Sequence, residues 1–531
     1  MKMIKLSEKK DAKLFGDTIF NSISVGSAYE MLRHDVMEHL RQIQSELHFK
    51  YCRFHGLFHD NMAVVKRLAN GKIAYQWHQI DKLTDYMLSV GLKPFFQLGA
   101  MPEELASRHD FYAFAWKMNT SAPRDYDEWG DLIENFVRHI VQRYGLEEVK
   151  TWYFEVWNEP NVGNDAGGFW PKSLGMKEYM EKLYTYAAYA VKRVDKDLRV
   201  GGPSTAGGAY ISEMIDYCAK NDVPIDFITT HAYPLGEQCE YRGENKSPYK
   251  TGEYLKERFR EVKEAVENSV MPELEIHWTE WNTMSAPNEE KIIWLCNKCI
   301  DNLFGGACVV RNMLGVRDYC NSAAYWVASD IFSENRQAHS VFSCTYGLVT
   351  IRGINKATYN AYKLLRKMRG NVMDCEKDGG FGLGCGITAA SEKGVIRAIA
   401  YNQHFLEIES QPDWNDELQI QVEDDGEYVI TSAKIEKYHG SAYEAWLNMG
   451  SPNDVSPMQE EYLRAASTMN YHCDVKKAEN GILRTGFSLK PDEVIYIEVQ
   501  KKGIEAVPRD MSPAEMEAWN ENVMYPEHEE I

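Results

Sequence analysis

Two glutamates carry the chemistry that this chain's residues most directly suggest. Glu159 sits in Trp152-Tyr-Phe-Glu-Val-Trp-Asn-Glu-Pro160 and Glu280 in Glu275-Ile-His-Trp-Thr-Glu-Trp-Asn282. Each stretch reads as a short buried strand that ends on a carboxylate and runs straight into a turn. A carboxylate beside apolar surface is costly to ionise, so its proton stays within reach of neutral pH. Two such groups facing one pocket are the minimum equipment for cleaving a glycosidic bond: one acid/base, and one nucleophile or second base. Asn158, next to the first glutamate, is placed to meet a sugar 2-hydroxyl, and the tryptophans around both sites suit sugar binding. The competing reading is a pair of structural glutamates held in ion pairs.

The elements that must position these carboxylates follow from the alternation of patterns between about residues 20 and 365. Strand candidates are Ile23 to Val25, Tyr51 to His55, Pro94 to Leu98, Trp152 to Trp157, Arg199 to Gly201, Phe227 to His231, Glu275 to Thr279 and Ala324 to Ala328. Helical stretches come between them, such as Ala28 to Leu47, Tyr126 to Tyr144 and Glu289 to Leu303. Eight strands with intervening helices predict a (β/α)8 TIM barrel, and polar residues gather where its catalytic face belongs, after the strands. A doubly wound sheet is set aside because no G-x-G-x-x-G fingerprint follows the first strand. Beyond residue 370 the segments become short, β-rich and punctuated by Gly, Asp, Asn and Pro, which predicts an additional C-terminal β-sandwich. The expected division is an N-terminal segment over 1–20 that could join the sandwich, a catalytic barrel over 21–368, the sandwich over 369–503 and an acidic tail over 504–531.

Composition narrows the partners. The formal charge of −20 opposes binding to nucleic acid or an anionic membrane, because phosphate recognition needs clustered Lys and Arg. The first ten residues lack the apolar stretch of an export signal, and no run of about 18 apolar residues predicts a membrane span. With 11 cysteines, odd in number and scattered, reduced thiols in a cytoplasmic protein are expected rather than a disulfide framework. Cys296 and Cys299 have C-x-x-C spacing, but no second pair or nearby His completes four ligands, so helix packing is the expected role. His55 and His59 are spaced as some metal pairs are, yet straddle a strand end. Neither a metal nor a cofactor is called for, and the expected partner is a small carbohydrate, with homo-oligomerisation left open.

Six motifs in order make the chain recognisable. They are Tyr51-Cys-Arg-Phe-His-Gly-Leu-Phe-His-Asp60, Phe96-Gln-Leu-Gly-Ala-Met-Pro102, Phe154-Glu-Val-Trp-Asn-Glu-Pro160, Val200-Gly-Gly-Pro203, Asp226-Phe-Ile-Thr-Thr-His-Ala-Tyr-Pro234 and Tyr325-Trp-Val-Ala-Ser-Asp330. Together they closely resemble glycoside hydrolase family 39, which holds β-xylosidases and α-L-iduronidases. The resemblance implies a retaining mechanism, with Glu159 as acid/base at the end of the fourth barrel strand and Glu280 as nucleophile at the end of the seventh. For retention the carboxyl groups should stand about 5–5.5 Å apart. It further implies that His55 and His231 bind the glycone, that Tyr233 donates a hydrogen bond to Glu280, and that Trp326 forms the floor under the sugar ring. Arg53, strand-borne, is expected to organise carboxylates. Phe111, Tyr112 and Trp116 are expected to shape the pocket mouth.

Three departures from the family pattern bear on specificity. Where the xylosidase branch commonly carries two acidic residues, this chain has Ser333-Glu334; it also has Cys344-Thr-Tyr-Gly-Leu348 for Gly-Gly-Phe-Gly-Leu, and Lys356-Ala357 for Lys-Pro. All three positions are expected near the glycone end, with Glu334 supplying the remaining contact. The resulting expectation is a retaining exo-glycosidase, β-xylosidase-like on plant-derived oligosaccharides or glycosides. The alternatives are the same mechanism on arabinose, galactose, glucose or a uronic acid, or a non-catalytic carbohydrate-binding protein on this scaffold.

Overall fold

The computed structural model describes residues 2–234, 253–283, 300–334, 338, 340–405, 410–503 and 512–517. Eight parallel strands close a barrel: Ser22–Ser27, Tyr51–His55, Lys93–Leu98, Tyr153–Val156, Arg199–Ala206, Phe227–Ala232, Glu275–Trp281 and Ser322–Tyr325. Each pairs with its sequence neighbours and the eighth closes on the first through Tyr325 and Ile23. The chain is a (β/α)8 TIM barrel with a β-sandwich, and every strand candidate of the sequence falls on one of the eight.

Period-two alternation decides what fills the barrel. Along the fourth strand Phe154 and Val156 face the helices, while Tyr153 and Glu155 face inward. Tyr51, Phe95, Tyr153 and Phe227 form an aromatic layer at the N-terminal end of the barrel, with Phe95 and Tyr153 stacked at 4.6 Å between ring centres. One step up, the interior turns polar with Arg53, Gln97, Glu155, Thr229 and Thr279, all buried. The candidate site rests on that polar layer.

The helices are apolar stripes laid on the barrel. Tyr126–Tyr144 starts at Asp125, whose carboxylate accepts the Asp127 amide, and it buries Trp129, Leu132, Ile133, Phe136, Val137 and Ile140. That i, i+3, i+4, i+7 spacing is one helix face, and each such side chain contributes about 1.5–3 kcal/mol by leaving water. Residues 289–299 of the expected helix, with the pair Cys296 and Cys299, lie outside the described residues. Residues 300–302 are not helical; Asn302 instead caps the helix Leu303–Val316 by accepting the Phe304 amide.

Two further sheets pack face to face. One holds Asp374–Lys377, Lys2–Ser7, Trp414–Gln421 and Ile482–Leu489; the other includes Cys385–Glu392, Val395–Asn402, Glu493–Lys501, Gly426–Lys437 and Asn470–Ala478. Ile4, Leu6, Leu418, Ile420, Ala398 and Ile497 meet between them, so the N-terminal strand belongs to this layer. Within the tail, 513–517 are helical, and Ser512 and Glu515 exchange the reciprocal bonds of a capping box. Among the described residues no helix is long and apolar enough to cross a membrane.

Candidate active site

The C-terminal ends of the barrel strands bring both glutamates to one place. One ligand-capable atom from each of Glu159, His231 and Glu280 lies within 4.8 Å of the other two. The turn after the fourth strand aims Glu159, and it does so with Trp157 at φ 71° and Glu159 at φ 42°. Left-handed backbone at non-glycine residues costs on the order of 1–3 kcal/mol each, and the surroundings hold it there. The Trp157 indole donates to the Phe169 carbonyl at 2.8 Å, and the Glu159 amide donates to the Ser204 carbonyl at 2.8 Å. Trp152, Trp157, Trp278 and Trp281 all lie in the apolar core between barrel and helices, whereas Trp326 clusters with Tyr233 beside Glu280. Those core tryptophans therefore shape the turns rather than stack on sugar, which corrects the sugar-binding expectation for them.

Arg53 ties the polar layer to the carboxylates. Its Nε donates to Glu155 at 2.8 Å, Nη1 to Glu280 Oε1 at 2.5 Å and Nη2 to Asn158 Oδ1 at 2.7 Å. Glu280 also accepts the Tyr233 hydroxyl on Oε2 at 2.7 Å. Asn158 spends its carbonyl on Arg53, and its amide nitrogen is buried with no hydrogen-bond partner among the described residues. An unpaired buried donor beside two carboxylates is a place for a ligand oxygen.

The two glutamates differ in what surrounds them. Burial pushes the Glu159 carboxyl up to about 7, against a smaller opposing pull from Arg53. Burial raises Glu280 as well, opposed by His231 and Arg53, while the Glu159 charge adds to the rise and the Tyr233 hydroxyl opposes it. As neighbours in one dyad they lose protons in sequence. Glu280 accepts a guanidinium and a phenol, whereas Glu159 accepts neither, so the first proton to leave comes from Glu280. One ionised and one protonated carboxyl follows near neutral pH.

The other sequence-nominated residues fall at different distances from this pair. His231 is fully buried and both its nitrogens are engaged: Nδ1 lies 2.8 Å from Glu159 Oε1, and Nε2 lies 3.1 Å from Thr279 Oγ1. His55 Nε2 stands 3.4 Å from Glu280 Oε1 and 3.6 Å from Glu334 Oε1, and burial holds this imidazole well below its usual range, aided by the Arg53 charge. Trp326 packs on His55 at 4.6 Å and beneath Phe332 edge-on. Glu334 is raised far above the usual carboxylate range by burial and by the charges of Glu280, Glu159 and Glu30. Phe111 is fully buried beneath Arg108, while Phe114 and Phe169 lie near His55 at 5.6 and 6.4 Å.

Of the three family departures, 333–334 reaches this cluster directly, and Tyr346 of the segment 344–348 packs with Tyr233, Trp326 and Phe332. Lys356 is fully buried, with its ammonium on Asp301 at 2.5 Å, Asp330 at 2.7 Å and the Thr345 carbonyl at 2.9 Å. The Cys344 amide donates to the same Asp301. Lys356 and Cys344 thus brace the segment after the eighth strand. Sequence reasoning missed Glu155, Thr279 and Glu30; a charged or hydroxylated residue at an inward position of an apolar barrel strand was the available signal for the first two.

Glu159, His231 and Glu280 are also the described residues that could hold a metal ion by their spacing. Arg53 already places a positive charge on Glu280 in that space, which opposes a cation there.

Comparison with known proteins agrees with the barrel fold. The model of Glycosyl hydrolases family 39 matches residues 2–483. The chain belongs to that family. It is a glycoside hydrolase, similar to a β-xylosidase of Caldicellulosiruptor saccharolyticus at 34% identity over 508 residues, covering 94% of this chain and 99% of the relative. A β-xylosidase of Geobacillus stearothermophilus is 32% identical across 88% of this chain and 90% of its own. Among solved structures, a monomeric β-xylosidase from Caulobacter crescentus superposes with a TM-score of 0.82 at 30% identity, covering 95% of this chain and 100% of that one.

Proposed function

We propose that this family 39 enzyme is a retaining exo-glycosidase of β-xylosidase type, with Glu280 as nucleophile and Glu159 as acid/base. The observation that carries the reading is the close, unequal pair: Glu159 and Glu280 each place an oxygen within 4.8 Å of the other, with only Glu280 held by Arg53 and Tyr233. Inverting enzymes need room for a water between carboxyl groups about 6.5–9.5 Å apart, and retaining ones about 5–5.5 Å. The spacing supports retention.

In the first step a Glu280 oxygen attacks the anomeric carbon, the bond to the aglycone breaks, and the Glu159 proton goes to the departing oxygen. In the second, Glu159 takes a proton from water as the water oxygen attacks the same carbon. The ester bond breaks and Glu280 recovers its charge. The free amide nitrogen of Asn158 is the donor for the sugar 2-hydroxyl, a contact that tightens as positive charge develops on the ring. His55, Glu334 and Trp326 form the glycone wall next to Glu280. A panel of nitrophenyl glycosides, with the configuration of the first-formed sugar read by NMR, tests both halves. An inverted product rules out the mechanism.

The pH dependence follows from Glu159. Only its acid form donates, so kcat/KM on a phenyl glycoside falls as pH rises through about 7, tenfold per unit beyond. A rate that stays flat to well above that pH removes Glu159 as the acid.

A second reading, a glycone other than xylose, would rest on Ser333, but the contacts of this residue stand against it. Its hydroxyl and amide both donate to Glu30, a buried carboxyl raised by burial that lies 303 positions away in sequence. Glu30 thus brings a carboxyl to the position from which Ser333 removes one. Ser333→Glu would set two carboxyls in one buried site and force one to keep its proton. The single variant is expected to lose at least about tenfold in kcat/KM on a β-xyloside, roughly one pK unit of cost. Glu30→Ser combined with Ser333→Glu is expected to recover most of that loss. A gain in xyloside activity by Ser333→Glu alone would show that Glu30 does not fill this role.

A further inference from the structure

His231 stands between the acid/base and a chain of groups that its own hydrogen bonds orient. Thr279 Oγ donates to Glu155 Oε1 at 2.7 Å, so this hydroxyl has only lone pairs left for His231 Nε2, 3.1 Å away. Glu155 is fully buried; burial would raise it, but the Arg53 charge and the hydrogen bonds from Arg53 and the Thr279 hydroxyl favour its ionised form, and it lies below the usual carboxylate range. A charged Glu155 leaves the Thr279 proton no other direction. His231 must then carry its proton on Nε2, and Nδ1 turns a bare lone pair toward Glu159 Oε1 at 2.8 Å.

We infer that Glu155 and Thr279 fix His231 as its Nε2–H tautomer, so that Nδ1 accepts the proton-bearing oxygen of Glu159 and holds that residue as an acid. Glu155, Thr279 and His231 are positioning residues for the acid/base. The inference rests on the reading of Glu159 as that group. Once the proton has gone to the leaving group, the ionised Glu159 faces a lone pair at hydrogen-bond distance. This opposition favours return of a proton from the attacking water, so one neutral imidazole assists both steps.

The charges around the ring allow this assignment. Arg53 from the second strand opposes a second proton on His231, while Glu155 from the fourth and Glu280 from the seventh favour one. Ser204 from the fifth strand is the remaining neighbour of Nε2, at 3.4 Å, and His55, Tyr233 and Glu334 complete the polar surroundings of the pair. Burial is the largest influence and takes the imidazole down to about 4, while it takes Glu159 up to about 7. Between those two points a neutral ring faces a protonated carboxyl.

The direct test is a nitrogen-15 spectrum of the wild-type enzyme labelled at histidine, with His231 assigned by the signal lost in His231→Gln. The expected result between pH 5 and 6.5 is a protonated Nε2 and an unprotonated, hydrogen-bonded Nδ1. An Nδ1–H ring or an imidazolium overturns the inference, and this measurement does not depend on any variant folding. Thr279→Val then frees the tautomer. Its kcat/KM profile is expected to lose its alkaline limb about one pH unit lower. Its loss on a phenyl glycoside should exceed that on a dinitrophenyl glycoside by roughly tenfold, because only the poorer leaving group needs the proton. Thr279→Ser, which keeps the hydroxyl, is expected to restore both. An unmoved alkaline limb in Thr279→Val also overturns the inference. If Glu159 is not the acid/base, the tautomer stands but leaving-group dependence vanishes from Glu159→Ala as well, which separates the two failures.

Discussion

Glu280→Ala is expected to lose roughly 10⁴-fold or more in kcat, about 5.5 kcal/mol of transition-state stabilisation, with little change in fold. On the proposed mechanism no ester forms without this carboxylate, and no neighbour substitutes for it. Glu334 is the nearest rival, but burial, the largest influence on it, with Glu159 and Glu30 beside it, keeps its proton on even without Glu280. Removing Glu280 also strips Arg53 of a partner at 2.5 Å and Tyr233 of its acceptor. Arg53 keeps Glu155 and Asn158, so the polar layer should survive. The vacated space beside the anomeric carbon lets azide enter. Azide is expected to restore part of the turnover on an activated glycoside and to give a glycosyl azide of inverted configuration. Wild-type-like hydrolysis by the purified variant would falsify the assignment.

The barrel was legible because its signals are local. Each strand candidate is a short apolar or β-branched run closed by a turn, and the helix Tyr126–Tyr144 shows its buried face at 3.6-residue spacing. The helix Leu303–Val316 was not legible as a helix of its own. It is buried on nearly every side, from Leu303 through Met313, because it packs against the helix Tyr254–Glu267, the helix Ala357–Leu365 and strands of the sandwich. A helix apolar all round has no period to read, and three glycines lower its intrinsic propensity.

The candidate site divides along the same line. Glu159, Glu280, Asn158 and Tyr233 lie at strand ends, where a polar residue after an apolar run marks the catalytic face of a barrel. Glu155 and Thr279 lie one layer deeper, and nothing within either strand says which partners the barrel's curvature will bring to them. Their contact spans 124 positions, and that of Ser333 with Glu30 spans 303. Pairings that distant are products of closure, not of local pattern. The tryptophans show the converse error: aromatic richness beside a carboxylate suggested sugar stacking, yet Trp157 and Trp281 are buried because the φ 71° backbone at Trp157 and the register shift between Trp278 and Trp281 turn both rings into the core.

Glu159→Ala is expected to separate substrates by their leaving groups. A phenyl glycoside departs as a basic phenolate and needs a proton, so kcat/KM on it should fall roughly 10³-fold, within the range typical of general acid catalysis. A dinitrophenyl glycoside departs unaided, so glycosylation of Glu280 should remain within about tenfold of wild type. The second step then lacks its base, and the glycosyl-enzyme should accumulate, with a burst of phenolate followed by slow turnover. Azide needs no base and should relieve that block, returning a product of retained configuration, the opposite of the outcome for Glu280→Ala. The alkaline limb near pH 7 should disappear with the carboxyl that causes it. His231 loses its Nδ1 partner in this variant but keeps Thr279 on Nε2, so its tautomer should persist while its remaining effect on rate is lost. Thr279→Val added to Glu159→Ala should therefore cost little more than Glu159→Ala alone, a non-additivity expected of groups that act through one proton. Equal losses on phenyl and dinitrophenyl substrates would mean that Glu159 holds the turn after the fourth strand and moves no proton.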